Sequence, residues 1–494
     1  MSENDNFSKR VILSFLYSGI GNTVSKVINA VALIVVLKLI SPAAFGVASI
    51  VIAIFAVVQA VTEMGLGVAI VQAEKLKERE IHSLFWLSSL LTGFLYLGIY
   101  FGAPLAANFY ENPELISLIR VHGIIVVLFS FYFVSRNMLK RELHFKEIAI
   151  IDNVALLSSS IIMVVLGFLG YGAWAIILAE VGNRVVQLFI SQYYHFYLPR
   201  FKFNWEEVKD RVEFGLYATG SRLLYNLYSN ADYLIVGKIF GSTAVGIYSL
   251  AYRIVTDTVK LLTSNLNEVA YPAFSRLQAE TKRLRLYFFT LARGSLQLNS
   301  IVLITIALYI DEILVLANYT EWLDAVPLVQ LLAASAILRT VSPLVPQLLN
   351  AVGKAKLNFY YSLSNAIIMP LAFLVGAQFG LQGVGWAWVL GYPVVVSLLF
   401  YFGSKNLEVS IFEFLKRAFS GFWLLPLLLI IGLVSQFLLN LLFENFQFLV
   451  PLIGITILVG SGLFIIYNRE KETVNLLRGK IKTLSSDKEN VKNS

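Results

Sequence analysis

The chain has no cysteine, four histidines and, over 494 residues, only 14% charged residues. Without thiols there can be no disulfide scaffold, no cysteine nucleophile, no iron–sulfur cluster and no cysteine-ligated zinc. The histidines, His82, His122, His144 and His195, lack the i, i+4 spacing of a helical metal site and read as polar residues near the ends of apolar runs. No G-x-x-x-x-G-K-[ST] loop is present, which excludes P-loop hydrolysis. The connections between apolar runs leave no room for a catalytic domain, so no enzyme activity, metal or cofactor is expected beyond a coupling proton or sodium ion. The scarcity of charge excludes most, because a soluble domain carries about 25% charged residues. At 57% hydrophobic residues and mean hydropathy +0.73, a water-soluble fold could not cover itself with polar surface, and lipid must be the solvent.

What is present are apolar runs long enough to cross about 30 Å of hydrocarbon, which takes about 20 helical residues each. Fourteen occur, roughly at 12–40, 44–70, 83–107, 115–135, 148–168, 172–195, 213–240, 242–270, 287–309, 325–350, 358–378, 383–402, 419–440 and 448–467. The expected fold is therefore an all-α polytopic membrane protein of about 14 transmembrane helices. The first run is too long for a signal peptide and is read as a retained helix. Lys and Arg fix the orientation, since short cytoplasmic loops hold the positive excess. The N-terminal tail, every second connection and the tail from Arg469 hold 29 of the 39 basic residues, and the opposite connections hold none. Those opposite connections carry acids such as Glu111, Glu114, Asp311, Glu312 and Glu444. Both termini are thus expected in the cytoplasm. The formal charge of +8 is accounted for by topology and anionic membrane lipid, with no nucleic-acid partner. Trp86, Trp174, Trp386, Trp388 and Trp423 lie near run ends, where an interfacial aromatic belt belongs.

An ungapped internal repeat appears at an offset of 200 residues. Leu16 and Tyr17 match Leu216 and Tyr217, Val36 and Lys38 match Val236 and Lys238, and Ala44, Gly46 and Ser49 match Ala244, Gly246 and Ser249. An offset of six spans preserves direction, so the repeats are parallel and related by an axis along the membrane normal.

Ten basic residues remain inside spans, among them Lys26, Arg120, Arg184, Arg222, Arg253 and Arg339, against seven acids including Glu63, Asp152, Glu180, Asp232 and Asp257. Each intramembrane charge costs about 2.5–3.5 kcal/mol on insertion scales and so faces a cavity or a partner. Spacing suggests local pairs: Glu180 with Arg184, and Asp257 with Arg253 and Lys260. Lys38 and Lys238 lie near helix ends, where they snorkel. Asn22, Lys26 and Asn29 share one face of the first span, and Arg222, Asn226 and Ser229 one face of the seventh. The repeat superposes these stripes, so each presents one cation and one amide in exchanged order, bordering a wet, positive cavity. The alternative is a buried polar lock between helices. Tyr248 and Tyr252 share a face of the eighth span and either stack on sugar rings or simply pack. Pro343, Pro346, Pro370 and Pro393 mark bends in spans ten to twelve.

The stretch from Asn230 to Lys238 (NADYLIVGK), followed by Ala244 to Arg253 (AVGIYSLAYR), resembles the seventh and eighth helices of Wzx-type polysaccharide flippases. These belong to the multidrug/oligosaccharidyl-lipid/polysaccharide flippase superfamily. Tyr271 to Leu277 (YPAFSRL), the basic loop Arg136 to Phe145, and Gly170 to Ala175 (GYGAWA) are similar to further parts of that family. The resemblance implies two six-helix lobes, 1–212 and 213–407, around a central cationic cavity of alternating access. It also implies two extra helices within 408–467 that offer a groove for a lipid tail, and a basic cytoplasmic tail, 468–494. The implied cargo is an oligosaccharide on polyprenyl diphosphate, moved outward across the bacterial inner membrane for surface polysaccharide export by a monomer, beside glycan polymerase machinery. Lys26 and Arg222 then suit the diphosphate, with Asn22, Asn29, Asn226, Arg253, Arg339, Tyr248 and Tyr252 as further substrate contacts. Glu63, Asp232 and Asp257 are candidates for a coupling ion, or else balance nearby cations. A cation-coupled multidrug exporter, which calls for surplus intramembrane acids, and a glycan polymerase or ligase, which calls for a large outer loop, are the competing readings.

The charge count makes a direct prediction in this cysteine-free chain. Single cysteines at Glu114, Asp311 and Glu444 should react with an impermeant thiol reagent applied outside intact cells, and cysteines at Lys77, Lys140 and Lys282 should not. Reversed labelling would overturn the orientation.

Overall fold

In lipid every backbone polar group must be satisfied within the chain, which leaves helices as the way for these runs to cross. The computed structural model describes residues 28–63, 76–206, 223–443 and 448–469, with a few isolated positions between them. Among the described residues all regular structure is helical. The helices are α1 Ile28–Leu39, α2 Pro42–Glu63, α3 Glu78–Tyr110, α4 Glu114–His122, α5 Ile124–Arg141, α6 Phe145–Phe168 and α7 Ala173–Tyr194. They continue as α8 Ala231–Leu277, α9 Thr281–Leu316, α10 Val326–Val341, α11 Leu344–Ala351, α12 Ala355–Ala377, α13 Leu381–Asn406, α14 Ile411–Ala418, α15 Leu424–Leu442 and α16 Leu449–Arg469.

Twelve stretches among the described residues are long and apolar enough to cross a membrane. Of the fourteen runs expected, 12–40 is described only in part, as α1, and 213–240 and 242–270 share one stretch, Leu223–Thr263. That stretch is broken at Gly241, whose φ of 79° and ψ of −179° interrupt the helix in a conformation open essentially to glycine alone. Pro343 sits in the break between α10 and α11, Pro346 in the first turn of α11, and Pro370 and Pro393 inside α12 and α13.

The chain forms two compact units. One comprises the described residues through Leu250 together with Phe359–Gly391; the other comprises Ala251–Asn358 and the residues from Tyr392 onward. In the first unit α6 and α7 pack along their length. An apolar cluster of Ile70, Leu84, Phe85, Phe133, Val134 and Val208 closes one end of this unit. In the second unit α9 packs on α10 and α15, around Ile301, Ile304, Tyr309, Leu424, Leu428 and Leu458.

Within the first unit the repeated residues meet each other. A Cβ on Gly46 would lie 1.7 Å from the carbonyl oxygen of Ser242, and one on Gly246 would lie 1.9 Å from the carbonyl oxygen of Pro42. The Ser249 hydroxyl donates to the Ser49 hydroxyl at 2.8 Å. Positions 42, 46 and 49 thus face 242, 246 and 249 in a self-complementary seam of the kind a two-fold axis produces. The two helices run in the same direction along it. Without a Cβ on either side the backbones touch, as small residues allow between membrane helices.

Gly46→Ala or Gly246→Ala should therefore force the seam apart and destabilise the protein by about 1–3 kcal/mol, the usual range for overpacking. Gly98→Ala, with nothing within 4 Å of the added carbon, should be neutral. Thermal unfolding of the purified variants checks this, and equal melting of all three would refute the seam.

Candidate functional site

Asn22, Lys26 and Arg222 lie outside the described residues, as does the side chain of Glu63. The other expected site residues fall into separate groups. In the first unit Asp232 is fully buried. Its Oδ2 accepts the Tyr248 hydroxyl at 2.6 Å and its Oδ1 accepts the Tyr233 backbone N–H at 2.9 Å. The Trp388 indole N–H donates to the Tyr248 oxygen at 2.8 Å, and the Phe373 ring lies 5.3 Å from that of Trp388. This is a charge-assisted network in which one phenol both donates and accepts, the arrangement that lets a carboxylate stay buried. Tyr248 is fully buried with Tyr233 edge-on at 5.5 Å, so in this structure it packs and offers no face to a sugar. Its value as a stacking surface, one of the two sequence readings, has no support here.

Asn29 is half-buried and donates to the Ser160 hydroxyl of α6 at 3.1 Å. Asn226 is half-buried, and its carbonyl accepts from the Asn230 amide at 2.8 Å.

In the second unit Arg339, in the last turn of α10, donates from Nη2 to the Tyr252 hydroxyl at 3.1 Å and to Thr256 Oγ1 at 3.0 Å. Its guanidinium also lies 5.1 Å from the centre of the Tyr252 ring. Tyr252 and Thr256 are one turn apart on α8, which lets a single guanidinium nitrogen reach both. Arg253 is half-buried. Asp257 pairs with exposed Lys260 at 4.0 Å and not with Arg253, a surface pair of small value.

Other intramembrane charges depart from the spacing rules. Arg184 donates to the Tyr132 hydroxyl and to Gln187 Oε1, both at 3.0 Å, and Glu180, four residues away, is exposed and takes no part. Arg184 and Tyr132 line a cavity of about 20 Å³ with Phe55, Gln59 and Thr62, room for about one water. Beside it His122 is buried against Phe55, ring centres 4.5 Å apart, with neither ring nitrogen hydrogen-bonded. The sequence reads it as a polar residue near the end of an apolar run; the structure instead packs it inside, against Phe55. Asp152 forms a bidentate pair with Arg136, both contacts 2.8 Å. Lys238 reaches the Phe109 carbonyl at 2.8 Å and Glu111 at 3.1 Å, which is the snorkelling expected of it. Trp388, expected in the aromatic belt, is buried and polar-bonded, whereas Trp386 two residues earlier is 49% exposed. Trp388 and Thr256 are the functional-site partners that sequence reasoning missed.

Twelve stretches able to cross a membrane, a parallel helical repeat and polar networks inside the spans describe a multi-pass membrane protein. The fold is similar to that of the lipid II flippase MurJ in an inward closed conformation, with TM-score 0.71 and 15% identity over 93% of this chain and 100% of that one. The chain belongs to the family described as "Polysaccharide biosynthesis protein", which matches residues 35–327. It is 30% identical to the teichuronic acid biosynthesis protein TuaB of Bacillus subtilis (strain 168), over 70% of this chain and 75% of TuaB. It is 24% identical to the lipopolysaccharide biosynthesis protein WzxC of Escherichia coli (strain K12), over 80% of each.

Tyr248→Phe keeps the ring but strips a partner from both Asp232 and Trp388, and should lower stability by about 1–3 kcal/mol, the penalty for stranding buried polar groups. Tyr252→Phe leaves Arg339 with Thr256 and should lower it less. Thermal melts of both variants decide this, and an equal or reversed order would refute the network.

Proposed function

We propose that the protein is a flippase that carries polyprenyl-diphosphate-linked oligosaccharide from the cytoplasmic to the outer leaflet of the bacterial inner membrane. Membership of a polysaccharide biosynthesis family supports the cargo class. The observation that carries the sign of the cargo is the way the spans hold their cations. Arg184 rests on a phenol and an amide, and Arg120 on the Tyr100 carbonyl at 3.1 Å and the Tyr100 ring at 4.2 Å. Neutral partners orient these guanidinium groups without cancelling their charge, and such an interior favours a diphosphate over a cationic drug.

In this reading Lys26 and Arg222 bind the diphosphate, and Asn22, Asn29, Asn226, Arg253, Arg339 and Tyr252 contact the carrier or the glycan. Two six-helix lobes, 1–212 and 213–407, alternate access, and the helices within 408–467 receive the lipid tail. The protein works as a monomer with cytoplasmic termini, performs no bond chemistry, and hands its cargo to polymerase machinery outside. The membrane potential supplies the drive. Two negative charges moving outward from an inside-negative compartment gain about 4–5 kcal/mol at 100 mV.

Proteoliposomes carrying a labelled polyprenyl-diphosphate oligosaccharide test this. Flipping should require the protein, accelerate under an inside-negative potential, and fall at least about tenfold in Lys26→Ala and Arg222→Ala while both variants remain folded. Transport of cationic dyes with no flipping would establish the exporter reading instead. Potential-independent flipping that needs a proton or sodium gradient would move the coupling to Glu63, Asp232 or Asp257.

A further inference from the structure

The segment that follows α7, residues 195–206, belongs to neither a span nor the networks above, and its composition is unusual for a loop. It reads HFYLPRFKFNWE, and residues 196–204 run without helix. Phe196, Leu198 and Phe201 are 76%, 69% and 91% exposed, and Phe203 and Trp205 are also exposed. Water would penalise such a display of apolar surface.

The segment is nevertheless fastened. The Tyr197 ring packs on the apolar cluster that closes this end of the unit, and its hydroxyl meets His82 Nδ1 at 2.7 Å. Burial, then the nearby Glu78 carboxylate, pushes the Tyr197 phenol up. The Trp86 indole N–H donates to the Arg200 carbonyl at 2.9 Å, and the Phe201 ring stacks on Trp86 at 4.6 Å. Side chains also satisfy the backbone. The N–H groups of Tyr197, Arg200 and Asn204 donate to Gln192 Oε1, His82 Nδ1 and Ser83 Oγ at 2.9, 3.3 and 2.9 Å. A loop in water needs no such acceptors, whereas backbone at the edge of a bilayer does.

The contacts also give a depth. The segment meets α3 at His82 through Tyr197, descends to Trp86 at Arg200 and Phe201, and returns to Ser83 at Asn204. Trp86 lies about 12 Å further along the helix than Glu78, at 1.5 Å per residue. Phe201 is therefore the tip of a dip toward the membrane. The Arg200 guanidinium turns back to Glu78 at 2.9 Å, as a snorkelling side chain does. The exposed apolar face of α7, with Phe189 and Tyr193 at its end, runs directly into the segment.

We propose that residues 195–206 are an interfacial anchor. Phe196, Leu198 and Phe201 enter the acyl boundary of the leaflet on the side of the basic loops, and Arg200 and Lys202 bind the phosphate groups of anionic lipid. Apolar and basic residues alternate here, which suits a headgroup layer, where each apolar residue has acyl chain and each base has phosphate within reach. The cytoplasmic identity of that leaflet rests on the orientation proposed above; insertion does not.

The full-length chain tests this with an environment-sensitive fluorophore on Phe201→Cys, or on Leu198→Cys should the first variant fold poorly. The protein is reconstituted with lipids nitroxide-labelled near the headgroup in both leaflets. Nitroxide should quench the label on the anchor at least about threefold more than a label on Lys282→Cys, and aqueous iodide should do the reverse. Raising the phosphatidylglycerol fraction should raise the melting temperature of the unsubstituted chain, and R200Q/K202Q should lose most of that increment. Iodide quenching without nitroxide quenching would overturn the proposal and mark the segment as a surface for a soluble partner. An undiminished increment in R200Q/K202Q would overturn the headgroup assignment. Reversed cysteine labelling at Lys77 would move the anchor to the other leaflet without removing it.

Discussion

Helices dissolved in lipid gain nothing from hiding apolar side chains from one another, because the solvent is as apolar as they are. Contact has to come from close packing and polar bonds. The seam between α2 and α8 supplies both. Gly46 and Gly246 bring each backbone against the carbonyl of the opposite helix, and the Ser49 and Ser249 hydroxyls bond a turn further on. Since 42, 46 and 49 meet their counterparts two hundred residues on, the seam puts the two repeats in register. Every pair of equivalent residues nearby then has comparable surroundings, so a difference between them is a difference of function rather than of position. Asp232 and Tyr248 correspond to Ala32 and Ala48, all four buried. The second repeat has thus acquired a buried carboxylate network where the first keeps plain packing.

The charges follow a common pattern. Several acids are met by bases: Asp152 by Arg136, Glu111 by Lys238, Glu78 by Arg200. Arg184 is instead met by oxygens that carry no formal charge, those of Tyr132 and Gln187. A hydroxyl fixes a guanidinium in place and leaves its field intact, whereas a carboxylate would do the first and abolish the second. Interiors built this way select cargo by sign before any shape is read, as the proposed function requires.

Spans and the repeat were legible in the sequence because each depends on properties that survive along the chain: run length, charge asymmetry and identity at a fixed offset. Gly241 even marked the boundary between two runs that the structure joins in one stretch. Contacts across the fold were not legible. Spacing of four suggested Glu180 for Arg184, but the side chain points toward α5, where Tyr132 waits 52 residues earlier in the chain. Trp388 looked like a belt residue by its position near a helix start; only the approach of α13 to α8 turns it onto Tyr248, 140 residues away. His122 misled for the same reason, since its burial comes from Phe55 of α2, 67 residues earlier in the chain. The polar stripes of the first and seventh spans came from periodicity, and half of their residues, Lys26 and Arg222 among them, lie outside the described residues, so these two rest on that periodicity alone.

These contacts also separate the carboxylates considered for coupling. Asp257 is exposed and touches a lysine at 4.0 Å, a contact of small value. Asp232 is different in kind. Its partners Tyr233, Tyr248 and Trp388 all belong to the same compact unit, so a rigid displacement of that unit carries the network along unbroken. Parting α8 from α13 instead would strand the Trp388 indole N–H, while Asp232 and Tyr248, both on α8, keep their own bond, and a stranded buried donor costs more than the net worth of an ordinary hydrogen bond. Such a network favours discrete arrangements over gradual deformation. Tyr248, held in place by Asp232, is therefore the polar link between α8 and α13.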